Sequence, residues 1–127
     1  MEKGIKNKQS ITVEEKDTAL FHGSGTLRVF ATPAMISLME NTAMNSVAPF
    51  LQNDEATVGT EINIKHLSAT PVGCCVTCES ELIEIDGRRL VFKVKVYDNK
   101  SVAGEGTHER FIIKAKKFFE KTQLKLK

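Results

Sequence analysis

Residues 29–50, VFATPAMISLMENTAMNSVAPF, decide the fold. Thr32 is a suitable N-cap, because its hydroxyl can accept from an orphan amide of the first turn. Pro33 suits the first helical position, where a missing N–H costs nothing. The pattern predicts one long helix from there to about residues 49–53. At 100° per residue, Ser37, Asn41, Asn45, Ala48 and Gln52 form one narrow, mostly polar stripe. Nearly everything else is apolar, so the helix is expected to be enclosed. Glu40 breaks that surface, roughly 100° from the centre of the polar stripe, with Ile36, Met44 and Val47 as face neighbours.

Outward from the helix the period changes from 3.6 to 2. Residues 10–16 alternate at Ile11 and Val13 and predict a short strand, with residues 1–8 loose and HGSGT, residues 22–26, a loop. Residues 57–66 place Val58, Thr60, Ile62, Ile64 and His66 on one face. Residues 74–85 form a second long strand whose parity breaks beyond Ser80, which predicts a bulge. Asp86–Gly87 signals a hairpin. Residues 88–98 and 102–114 complete four long antiparallel strands after the helix. One sheet with one buried helix is an α+β arrangement. A curved sheet of about five strands around one central helix is the hotdog fold, reached here by pattern and analogy.

A length of 127 residues suits one domain over residues 1–127. No apolar run is long enough for a membrane-spanning helix. MEKGIKNKQS has charge but no apolar signal region, so a cytoplasmic protein is expected. The net charge of +2 hides an asymmetry: residues 114–127 hold six Lys and one Glu, leaving −3 on the rest. A solvated basic end is expected, with no membrane partner. Neither an RNA-binding aromatic motif nor a zinc-finger spacing is present, so no nucleic acid is expected. Cys74, Cys75 and Cys78 lack a fourth ligand at metal spacing and point to different sides of a strand, so buried reduced thiols and no metal are expected.

Three polar residues stand where packing alone would favour others: Thr32, Glu40 and His66. Each has a plain structural reading as a cap, a lysine partner or a satisfied core histidine. Together they hold the parts for acyl transfer to water. A carboxylate on an apolar wall suits general-base work. A histidine can move a proton or orient a nucleophile. A threonine hydroxyl can attack, and free N–H groups of a first helical turn can hold an oxyanion. In GEGTHERF, Gly104, Gly106, His108 and Arg110 share one face. A cross-strand ion-pair network with Glu105 or Glu109 is expected there, the alternative being contact with the active site or with CoA phosphates.

VFATPAMISLMENTA, TVGTEINIKHLSATPVG, EIDGRRLVFKVKVYD and GEGTHERFII together resemble the fluoroacetyl-CoA thioesterase family of hotdog enzymes over about residues 28–115. The resemblance implies an acyl-CoA thioesterase that works as a homodimer, or a higher assembly, with active sites at the subunit interface. Thr32, Glu40 and His66 would act together on the thioester. Gly59 of the VGT motif would lie near it, and Pro33, His108 and Arg110 are further substrate-binding candidates. No cofactor is implied, CoA being part of the substrate. The phenylalanine-rich lid of the fluoroacetyl-specific enzyme has no counterpart in HGSGTLRV. Two other readings remain at this point, a non-catalytic acyl-CoA-binding module and an enoyl-thioester hydratase or dehydratase of the same fold.

Overall fold

The computed structural model describes residues 1–127. Five strands, β1 (Lys6–Thr12), β2 (Glu55–His66), β3 (Cys75–Asp86), β4 (Arg89–Tyr97) and β5 (Val102–Lys114), form one antiparallel sheet in the order β1-β3-β4-β5-β2. The helices are a short α1 (Ala19–His22), the long α2 (Thr32–Val47) and a C-terminal α3 (Ala115–Gln123). α2 touches all five strands. A flat sheet of five strands is about 19 Å across and a helix about 10 Å wide, so this contact requires the sheet to curve around the helix.

The core lies between them. α2 contributes Met35, Leu38, Met39, Ala43 and Val47, and the sheet contributes Val76, Leu82, Leu90, Phe92, Val94 and Val96. α2 approaches β5 closely because position 104 has no side chain: a Cβ there would lie 2.5 Å from Met35 Cε. Of the cysteines only Cys78 is buried, while Cys75 is exposed; all three are free. The strand alternation turns Cys75 to solvent, against the expectation of three buried thiols.

β1 begins at Lys6, not residue 10. Its inward positions Asn7 and Gln9 are polar, which hid the alternation. They meet the polar stripe of α2: Gln9 Nε2 donates to Asn41 Oδ1 (2.8 Å), Asn45 Nδ2 donates to Gln9 Oε1 (2.9 Å), and Asn7 Nδ2 donates to the Thr42 carbonyl (3.1 Å). On the outer face one row runs Lys8, Glu79, Lys95, Glu105, Lys65 across all five strands, alternating in sign at every step.

The register shifts between Leu82 and Glu84, where the parity of β3 predicted a bulge. A second shift, between Gly59 and Glu61 in β2, was hidden. It exchanges faces: Thr57 is buried before it, and Ile62, Ile64 and His66 turn inward after it. Val58 and Thr60 therefore do not share the face of Ile62.

α2 is not enclosed all round. Pro33, Ser37 and Met44 are exposed, and Ile36 and Glu40 are half-buried. An apolar stripe with a carboxylate in it stays open in a single chain. β2, next to it, is a sheet edge twelve residues long with no neighbour on its outer side.

Candidate active site

Thr32 opens α2, but as its first helical residue: Ala31 is the N-cap and accepts the Met35 N–H at 2.9 Å. Pro33 is thus second in the helix, exposed beside Thr32. The Thr32 hydroxyl does not cap. Its Oγ1 lies 2.7 Å from His66 Nδ1. The helix entry is pinned by two backbone bonds, Phe30 N–H to the Thr70 carbonyl (2.8 Å) and Ala31 N–H to the Asp17 carbonyl (2.9 Å). His66 is the last residue of β2 and is held in turn by the Leu67 N–H donating to the Ala103 carbonyl (2.6 Å). The pair opens into a cleft of about 500 Å³ bounded by Ala19, Ser24, Val29, Leu67 and Ser68. Neither the backbone N–H of Thr32 nor that of Ala34 has a hydrogen-bond partner, so both remain donors at the helix start.

Burial pushes the His66 imidazole below its ordinary pKa, with the Ser68 backbone pulling weakly the other way. Its Nε2 is buried without a hydrogen-bonded partner. A neutral ring facing a hydroxyl is poised to take a proton from it.

Glu40 is not in this cluster. Eight residues along α2 place it about 12 Å further down the axis. There it meets a second group of polar residues. A Cβ added to Gly59 would lie 2.6 Å from Glu40 Oε2, 3.2 Å from His108 Cε1 and 3.4 Å from an Arg110 Nη. Gly59 is required by that carboxylate and not by its own backbone conformation, which is not left-handed.

Arg110 is buried and anchored by Thr57. Its Nε donates to Thr57 Oγ1 (2.8 Å), one Nη donates to the Thr57 carbonyl (2.9 Å), and the other Nη donates to His108 Nε2 (3.1 Å). A guanidinium can only donate, so His108 Nε2 carries a lone pair. The ring's proton is then on Nδ1, which donates to the Glu61 carbonyl (2.8 Å). Burial, followed by the Arg110 charge, holds His108 below its ordinary pKa against the opposing pull of the Glu61 carbonyl, Glu40 and Glu109. Burial also disfavours the Arg110 charge, and the Glu40 carboxylate supports it. Glu40 therefore lies near a cation and a neutral histidine, while no hydrogen bond or ion pair joins it to either.

This overturns the expected ion-pair role of His108 and Arg110. Glu109 pairs instead with Arg89, whose Nε donates to its Oε1 at 2.5 Å. The inward parity of His108 and Arg110 was legible, but the identity of their neighbour was not. Thr57 was missed because the bulge in β2 reverses its face, and nothing before the bulge announces it.

One chain thus brings Thr32 to His66, and Glu40 to Gly59, His108 and Arg110, but keeps the two groups apart. The sequence matches the model of the fluoroacetyl-CoA-specific thioesterase family over residues 13–116. It is 42% identical over 97 residues to a fluoroacetyl-CoA thioesterase of Streptantibioticus cattleyicolor, covering 76% of this chain and 70% of that protein. The fold superposes with a TM-score of 0.93 at 34% identity on a fluoroacetyl-CoA thioesterase, a threonine-to-alanine variant in complex with fluoroacetate, covering 98% of both chains. A Thermus thermophilus member of the thioesterase superfamily shares the fold, with a TM-score of 0.89 at 23% identity over 98% of this chain and 95% of that one. The curved five-stranded sheet around α2 is the hotdog fold, and the chain belongs to the fluoroacetyl-CoA-specific thioesterase family.

Proposed function

We propose that this protein hydrolyses a small acyl-CoA thioester to the free acid and CoA, at a site that starts from the Thr32–His66 pair. The 2.7 Å contact between Thr32 Oγ1 and His66 Nδ1 carries the reading. With the ring proton on Nε2, the Thr32 hydroxyl donates to Nδ1. As Thr32 or a water in its place attacks the thioester carbonyl, His66 takes the proton and then delivers it to the departing thiolate. The unpartnered amides of Thr32 and Ala34 are donors for the oxyanion. Glu40, close to Arg110 and His108 around Gly59, is a second base for the water that completes hydrolysis.

That last role requires Glu40 to reach the thioester, and one chain holds it about 12 Å from Thr32 along the helix. A homodimer resolves this. The open stripe of Ile36, Glu40 and Met44 and the bare edge of β2 lie side by side. A second copy paired antiparallel through β2 covers both and sets the start of one α2 against the middle of the other. Sedimentation analysis tests the dimer, and a monomer that is fully active at nanomolar concentration sinks it.

Release of free thiol from a panel of short acyl-CoA esters tests the activity, with Thr32→Ala and His66→Ala beside the parent. Equal inertness of all three favours a module that binds acyl-CoA without cleaving it. Turnover of crotonyl-CoA without thiol release favours the hydratase chemistry instead. Ser24, the one residue of the segment 23–26 that lines the cleft, is small, so discrimination for fluoroacetyl over acetyl is not part of the proposal.

A further inference from the structure

α3 is fixed to the start of β2. The Ala115 N–H donates to the Asp54 carbonyl (2.7 Å), and Lys114 pairs with Glu55 in the ladder. Asp54 itself adopts a left-handed φ of 66° to make that junction. His66 is at the other end of β2. A strand of this length spans about 36 Å. Within one chain the basic helix is therefore farther from the Thr32–His66 pair than the pantetheine arm of CoA extends.

An antiparallel pairing of two β2 strands about their midpoint reverses this. Glu55 of one protomer then faces His66 of the partner subunit, and α3 comes beside that active site. The helix has the right chemistry for an anionic nucleotide. Lys116, Lys117 and Lys121 have no ion-pair partner, nor have Lys125 and Lys127 beyond them. Phe118 and Phe119 are exposed on the opposite flank, 44% and 61% accessible, where a flat base can stack. The rest of the chain carries −3, so the tail is the one strongly positive region that a polyphosphate meets.

We infer that α3 of one protomer holds the phosphate-bearing adenosine end of the CoA thioester cleaved at the Thr32–His66 pair of the other. This rests on the acyl-CoA and dimer readings above. The test is the triple charge reversal Lys116→Glu/Lys117→Glu/Lys121→Glu, assayed on an acyl-CoA and on the same acyl group carried by pantetheine alone. The expected result is a KM about tenfold higher for the acyl-CoA with kcat unchanged, and no change for the acyl-pantetheine. The parent's KM for the acyl-CoA should also rise with salt, and that for the acyl-pantetheine should not. Equal effects on both substrates, or none on either, overturn the inference. So does an unchanged KM accompanied by loss of co-sedimentation with phosphatidylserine vesicles, which would assign the helix to a lipid surface. If the parent cleaves neither substrate, the thioesterase reading fails and this one with it. Mixed dimers decide the crossing between protomers. Thr32→Ala combined with the charge-reversed chain leaves one site with an intact Thr32 and, across the interface, an intact α3. Recovery of the parental KM supports the arrangement, and its absence overturns it.

Discussion

Thr32 Oγ1 and His66 Nδ1 stand 2.7 Å apart although 34 residues separate them in the chain. One belongs to the first turn of the helix and the other to the last residue of the edge strand, so the contact exists only when sheet and helix are both in place.

If that contact carries the chemistry, the two residues act as a unit. Thr32→Ala and His66→Ala are each expected to lower kcat by about 10²–10⁴, with little change in KM. The double variant should be no worse than the poorer single one. Steady-state kinetics on one acyl-CoA checks this, and additive losses would mean that the residues work separately. Thr32→Ser keeps the hydroxyl and should retain most of the rate.

Gly59→Ala isolates the Glu40 group. The backbone accepts alanine, but the new Cβ would lie 2.6 Å from Glu40 Oε2 and 3.2 Å from His108 Cε1, so the carboxylate has to move. Activity should fall about tenfold or more while the melting temperature changes by only a few degrees. Full activity in this variant would remove Glu40 from the mechanism.

Arg110 is a buried cation whose bonded partners, Thr57 and His108, are neutral. Arg110→Ala leaves both Thr57 oxygens and His108 Nε2 without their donor, and should destabilise the fold by about 1–3 kcal/mol for each buried acceptor left unpaired. Thr57→Val, which removes one anchor, should cost less. Urea unfolding of both variants gives the comparison.

His66 and His108 are both held by burial below the ordinary imidazole value of about 6.5. Between the folded and unfolded values the unfolded chain binds more protons. Stability is therefore complete above about pH 6.5 and declines as pH falls through that value toward the folded pKa values. The same shift keeps His66 neutral and competent as a base, so the acid limb of kcat/KM should lie below pH 6.5. Chemical denaturation from pH 5 to 8 and a pH–rate profile read the two effects. A limb centred well above 6.5 contradicts the assignment of His66 as the base.

Much of this was legible in the residues themselves. Helix, strand order of appearance and the Asp86–Gly87 hairpin follow from a period that changes from 3.6 to 2. Thr32 and His66 were marked as polar residues on otherwise apolar surfaces, and they meet. What was not legible has a common cause. The bulge at residues 59–61 reverses the face of Thr57, and a face reversal leaves no trace in composition. β1 was shifted because amides, not apolar groups, fill its inward positions. The Arg110–Thr57–His108 group depends on strand order, since β2 and β5 are sheet neighbours only after β3 and β4 have been laid down between them in sequence. Periodicity carries no record of that.

The row Lys8, Glu79, Lys95, Glu105, Lys65 has a consequence for how the molecule looks from a distance. Charges that alternate at strand spacing, about 5 Å, cancel beyond a Debye length of about 8 Å at physiological salt. The broad outer face is then nearly silent, while the six lysines of residues 114–127 are gathered at one pole. The protein behaves as an electrical dipole. It should be retained by a cation-exchange resin through that pole more strongly than the small net charge of +2 suggests, and removal of the last fourteen residues, which leaves −3, should abolish the retention.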